Sequence, residues 1–202
     1  GSSDPANLTN VNGTLFFTAD DGVSGRELWK SDGTAAGTVL VRDIHSGSTG
    51  SGLDGLTSVN GTLFFAANDG PNGIELWKSD GTAAGTGLVK NIGPFGSASA
   101  PQALTNVGGM LFFVASDSNG TELWKSDGTA AGTVLVKDIS TGAFSASPDS
   151  LINVNGTLFF SATDGFEREL WKSNGTAAGT VLVKNLNGGG SSNPASLINV
   201  KG

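Results

Sequence analysis

Tryptophan occurs four times in this chain, at Trp29, Trp77, Trp124 and Trp171, each time inside the same Glu-Leu-Trp-Lys string. An exposed indole stacks on sugar rings, so four equivalent ones could form repeated, shallow ligand sites, and these four are the binding candidates. In the middle of an apolar strand the same ring packs into a core, which is the reading favoured here. The flanking charges, Glu27, Glu75, Glu122 and Glu169 with Lys30, Lys78, Lys125 and Lys172, could ring a pore, although strand ends also carry such charges as solvated flanks. A Ser-Asp-Gly-Thr string follows each Trp, with Asp32, Asp80 and Asp127 in three copies and Asn174 in the fourth. Together with acidic loops at Asp20-Asp21, Asp69, Asp117 and Asp164 it invites a calcium reading. Calcium wants closely spaced carboxylates, as in Asp-x-Asp-x-Asp, and that spacing is missing. Asn174 also shows that the charge is dispensable, so turn formation is the better account and no metal is expected.

His45 is the only histidine and has no counterpart in the other copies. A general base needs partners within hydrogen-bond reach, and no acid or nucleophile lies beside it in sequence, so it reads as a solvated loop residue. There is no cysteine, which removes disulfides and thiol chemistry and leaves the compartment undecided. With no phosphate loop, Ser-His-Asp set or metal cluster, neither an enzyme nor a cofactor is expected. Phe95 and Phe144 are apolar in loops that are otherwise polar, suited to filling a gap between units or touching a partner. Asn-x-Thr triplets such as Asn12-Gly13-Thr14 coincide with hairpin turns, which explains them without a glycan.

The elements that position these residues are set by a repeat. Glu27, Glu75, Glu122 and Glu169 fall 48, 47 and 47 residues apart, a period found in solenoids, propellers and arrays. In the first unit an apolar-containing run at 8–11 leads through Asn12-Gly13 to 14–19. Asn-Gly between two such runs is the strongest short hairpin signal, because a type I′ turn needs positive φ at both central residues. It recurs at Asn60-Gly61 and Asn155-Gly156, with Gly108-Gly109 in the third unit. An Asp/Gly loop then leads to a third strand at 27–30, and the Ser-Asp-Gly-Thr turn to a β-branched fourth at 38–42. Each unit therefore reads as a four-stranded antiparallel meander. Leu15, Phe16 and Phe17 are consecutive, so both faces of the sheet are apolar and both must be covered.

Gly/Ser/Pro segments at 46–55, 93–102, 140–149 and 187–195 join one unit to the next. Units are expected at about residues 7–54, 55–102, 103–149 and 150–195, with 196–202 an extra first strand of a further unit. Tandem four-stranded meanders of this length are β-propeller blades. Eleven Lys plus Arg against 18 Asp plus Glu leave a net charge of -7, which argues against nucleic acid as a partner. No apolar run approaches the roughly 20 residues of a membrane helix. No signal peptide is evident, and Gly1-Ser2 looks like a cloning scar that could replace a natural leader.

The Glu-Leu-Trp-Lys-Ser-Asp-Gly-Thr-x-Ala-Gly-Thr string, present at 27–38, 75–86 and 122–133 and with Asn174 at 169–180, resembles the repeats of a family of bacterial β-propeller proteins. The resemblance covers essentially the whole chain and implies an all-β scaffold with no common activity; such a parent protein could be secreted. The near-uniform copies also look like a propeller fragment excised or engineered to study repeat assembly. Four blades can close alone, but large Trp and Phe repeats crowd so small a ring, so two chains head to tail in an eight-bladed homodimer are expected. The redundant first strand could then exchange with a partner chain. The functional expectation is a structural, self-assembling scaffold, with a lectin-like or other carbohydrate- or small-molecule-binding module as the alternative.

Overall fold

The computed structural model describes residues 1–94 and 97–200, which carry sixteen strands and, among the described residues, no α-helix. Phe95 and the last two residues of the extra first strand lie outside the described residues. The strands form four separate four-stranded sheets. Blade one holds β1 (Ala6–Val11), β2 (Thr14–Asp20), β3 (Arg26–Ser31) and β4 (Val39–Arg42). Blade two holds β5 (Asp54–Val59), β6 (Thr62–Asn68), β7 (Ile74–Ser79) and β8 (Gly87–Lys90). Blade three holds β9 (Gln102–Val107), β10 (Met110–Asp117), β11 (Gly120–Ser126) and β12 (Val134–Lys137). Blade four holds β13 (Asp149–Val154), β14 (Thr157–Thr163), β15 (Arg168–Ser173) and β16 (Val181–Lys184). Each is a meander in chain order, as the turn pattern predicts.

Local chemistry accounts for these elements. Asn12 and Gly13 have φ of 51° and 87°, and Asn60-Gly61, Gly108-Gly109 and Asn155-Gly156 are likewise positive, so the first hairpin of every blade closes through a primed turn. In the Ser-Asp-Gly-Thr turn, Asp32 Oδ1 accepts the Thr34 amide at 2.9 Å and the Thr34 hydroxyl at 2.7 Å. Thr34 Oγ1 in turn accepts the Gly37 amide at 2.9 Å, and Thr38 Oγ1 donates to the Thr34 carbonyl at 2.7 Å. A Cβ on Gly37 would lie 2.0 Å from Asp32 Oδ1, which is why the string ends Ala-Gly-Thr. Asn174 makes the same bonds to Thr176, so the turn uses the oxygen and not the charge.

The chain divides into two compact units, residues 1–102 and 103–202. In the first, Phe16, Leu28, Val41 and Ile44 of blade one pack on Leu63, Phe65, Ala67 and Trp77 of blade two. In the second, Phe112, Leu123, Val136 and Ile139 of blade three pack on Leu158, Phe160, Ala162 and Trp171 of blade four. The two cores are the same interface built twice.

The fifth copy of the first strand corrects the sequence reading in part: residues 197–200 form no strand. Two local features of a first strand are nevertheless kept. Ser196 has φ 52°, matching the bulge residues Asn7, Ala103 and Ser150. Asn199 Nδ2 donates to the Asn153 carbonyl at 3.1 Å, just as Asn153 Nδ2 donates to the Asn106 carbonyl at 3.1 Å.

Candidate functional site

The tryptophans sit mid-sheet, paired across the ladder with Phe17, Phe65, Phe113 and Phe160. Trp77, Trp124 and Trp171 are buried, while Trp29 is half-buried. In both cores a cation from the preceding blade roofs the indole: Arg42 lies 5.9 Å from the Trp77 ring centre and Lys137 5.7 Å from that of Trp171. The ring faces of Trp77 and Trp171 are thus occupied by packing.

The lysines of the repeat tie blades together. Lys30 Nζ donates to the Gly81 carbonyl of the next blade at 2.8 Å, and Lys125 Nζ to the Gly175 carbonyl at 2.7 Å. Lys137 Nζ donates to the Thr180 carbonyl at 2.9 Å. Each cation thereby satisfies a turn carbonyl that neighbouring side chains shield from water.

The glutamates occupy a place that sequence reasoning missed. None is a solvated flank: Glu27, Glu75, Glu122 and Glu169 are all buried. Each reaches back to hold the loop that leaves the fourth strand. Glu27 accepts the Ile44 amide at 3.2 Å, the His45 amide at 3.3 Å and the Ser51 hydroxyl at 2.6 Å. Glu75 accepts the Ile92, Gly93 and Ser99 amides at 3.0, 3.1 and 3.0 Å, and Glu169 the Leu186 and Ser192 amides at 3.3 and 2.9 Å. The Ser99 and Ser192 hydroxyls donate to their glutamates as well. In blade three the serine is replaced by Ala146, and Glu122 keeps only amide donors, among them Ile139 at 3.1 Å and Ala146 at 2.8 Å.

That replacement alters the acidity of the group. Burial, opposed only by amide donors, pushes the Glu122 carboxyl up to about 7. Burial also raises Glu27, against the lowering effect of the Ser51 hydroxyl. Glu169 is lowered, first by the Ser192 hydroxyl. These carboxylates face amides and hydroxyls inside a blade, not a substrate cavity, so their work is to anchor a loop.

The remaining candidates do not converge on a reactive centre. Asp32 and Asp80 are lowered by their hydrogen bonds from Thr34 and Thr82, and this ties them to the turn. Among the described residues no group of three His, Cys, Asp or Glu could hold a metal. His45 is half-buried, its amide bound to Glu27. Phe144 is exposed rather than filling a gap.

Among the described residues, blade one and blade four each leave one face partly uncovered. Trp29 and Leu15 are half-buried where Trp77 and Leu63 of blade two are buried. In blade four, Val183 is 42% exposed and Leu186 60%, against 5% for Val136 and 6% for Ile139 in blade three. Phe159 and Leu170 are likewise less buried than Phe112 and Leu123. Lys172 and Lys184 of this face are exposed and have no carbonyl like those that receive Lys125 and Lys137 among the described residues.

This all-β arrangement of four-stranded meander blades is a β-propeller fold, and solved structures agree. No family model matches the chain, and no curated protein does. A prolyl endopeptidase structure aligns with a TM-score of 0.54 at 14% identity, covering 84% of this chain and 24% of its own. A puromycin hydrolase structure aligns with a TM-score of 0.56 at 15% identity, covering 90% of this chain and 29% of its own. The chain therefore spans between about a quarter and a third of those proteins, and the likeness is one of fold.

Proposed function

We propose that the chain is a self-assembling propeller scaffold without catalytic activity, whose two open faces join head to tail on a second copy to complete an eight-bladed homodimeric ring. One observation carries this reading. Blade one leaves Leu15, Trp29 and Leu40 incompletely covered, and blade four leaves Phe159, Leu170, Val183 and Leu186 so. These two sets are the halves of the interface already built between blades one and two and between blades three and four. The polar groups match as well. Lys172 and Lys184 of one copy would meet the Gly33 and Thr38 carbonyls of the other, repeating the bonds that Lys125 and Lys137 make to Gly175 and Thr180. Lys184 would also roof the partner's Trp29, as Lys137 roofs Trp171. The contact is heterologous, and residues 197–200, which hold the next first-strand place beside blade four through Asn199, would have to displace β1 of the incoming copy or give way to it.

Light scattering on a size-exclusion column tests it. A mass of about twice 20.2 kDa supports the dimer, and 20.2 kDa contradicts it. Sugar binding on the four tryptophans is less well supported, since Trp77, Trp124 and Trp171 are buried. The activities of the two similar enzymes are not carried over, because a likeness at 14% and 15% identity is one of fold.

A further inference from the structure

The repeat provides an internal control for every position, so an exposed side chain that departs from it stands out. Phe166 follows Asp164-Gly165, where blade one has Val23 after Asp21-Gly22 and blade two has Pro71 after Asp69-Gly70. Phe166 is 92% exposed and Phe144 75%, the first in the loop before β15 and the second in the segment after β12. A singly exposed apolar side chain is ordinary, and Val23 at the equivalent place is 75% exposed too, so what sets these two rings apart is their meeting at one site. Although 22 residues apart, the two border a single cavity of about 300 Å³, lined also by Ser140, Thr141, Asp164 and Gly165.

The cavity has a fixed frame. Asp164 Oδ1 accepts the Phe166 amide at 3.0 Å and the Glu167 amide at 3.2 Å, which sets the loop that carries Phe166. Its other carboxylate oxygen makes no hydrogen bond within the described residues. Gly165 has φ 98°, and a Cβ there would come 3.2 Å from the hydroxyl of the buried Ser140, so glycine keeps the floor open. No lysine or arginine lines the cavity, and the chain carries a net charge of -7.

We propose that this cavity binds a small organic cation with an alkylated ammonium head. The exposed rings of Phe144 and Phe166 at one cavity can attract a cation through their quadrupoles and accept its methyl groups as apolar surface. The Asp164 carboxylate, unopposed by any cation of the lining, supplies the counter-charge. A neutral sugar would use the rings but would gain little from the charge. All lining residues belong to the second unit and none lies on the two open faces, so the proposal stands independently of ring assembly.

Choline chloride is the probe, titrated by calorimetry beside 3,3-dimethylbutan-1-ol, its neutral isostere, and methyl glucoside. The expected result is saturable choline binding, with the isostere about tenfold or more weaker. Phe166→Ala and Asp164→Asn should each weaken choline about tenfold while leaving mass and melting temperature unchanged. Both substitutions keep the fold, because Phe166 is in solvent and asparagine retains the loop hydrogen bonds. Equal binding of the isostere would reduce the cavity to an apolar groove and overturn the proposal. Binding of methyl glucoside without choline would overturn it in favour of a saccharide site. Absence of choline binding, or binding untouched by both substitutions, would also overturn it.

Discussion

Trp77 and Trp29 hold the same place in neighbouring blades, yet one is buried under Arg42 and the other is only half-covered. Leu186 and Ile139 differ in the same way at the other end, at 60% and 6% exposure. The strands, turns and registers around them are alike. Burial in this protein is thus decided by the presence of a neighbouring blade, not by anything within the blade. A sheet apolar on both faces cannot satisfy itself, so its stability depends on what covers each face.

The largest effect should come from charging an open face. Val183→Asp with Leu186→Asp should lower the mass from about twice 20.2 kDa to 20.2 kDa, and the same pair at Val136 and Ile139 should instead prevent folding. Next comes truncation of the paired indoles. Trp77→Ala should cost roughly 3–5 kcal/mol in denaturant unfolding, whereas Trp29→Ala should cost less than half of that in a background kept monomeric by the two aspartates. If the two costs are equal, the contrast between covered and open faces fails.

Acidity sharpens a smaller contrast, between blade three and blade four. Glu122 holds its proton to about pH 7 in the folded chain, while the unfolded group releases it near its ordinary value of 4.5. Its contribution to stability is therefore greatest below about pH 4.5, falls as pH rises towards 7 and is flat above. Glu169 is lowered and behaves oppositely, contributing above its ordinary value and losing that as pH falls through the folded one. Restoring the missing hydroxyl with Ala146→Ser should lower the Glu122 value and add about 1 kcal/mol at pH 8, read by carbon NMR titration and by melting. Smallest of all, Asn174→Asp should change stability by less than about 0.5 kcal/mol, because the oxygen that the turn uses is retained.

Much of this was legible in the residues. Asn12-Gly13 and its copies announce the hairpins because only certain residues accept the φ values of a primed turn. Consecutive Leu15, Phe16 and Phe17 announce a sheet covered on both faces. The glutamates were not legible, since a carboxylate at a strand start looks solvated until a loop 17 to 24 residues later folds back over it. A hint was present in the serine that recurs in the joining segments at Ser51, Ser99 and Ser192. Phe166 was overlooked for a related reason: its meaning depends on Phe144, and only the fold brings the two to one cavity.

The central claim is that blade four of one copy covers blade one of another, and mixing tests it most directly. A chain with Leu40→Asp has a spoiled first face, and one with Val183→Asp and Leu186→Asp a spoiled last face. Each alone should run at 20.2 kDa, and an equimolar mixture should recover about twice that mass through the one intact pair of faces. A mixture that stays at 20.2 kDa, or a single variant that still dimerises, would contradict head-to-tail closure.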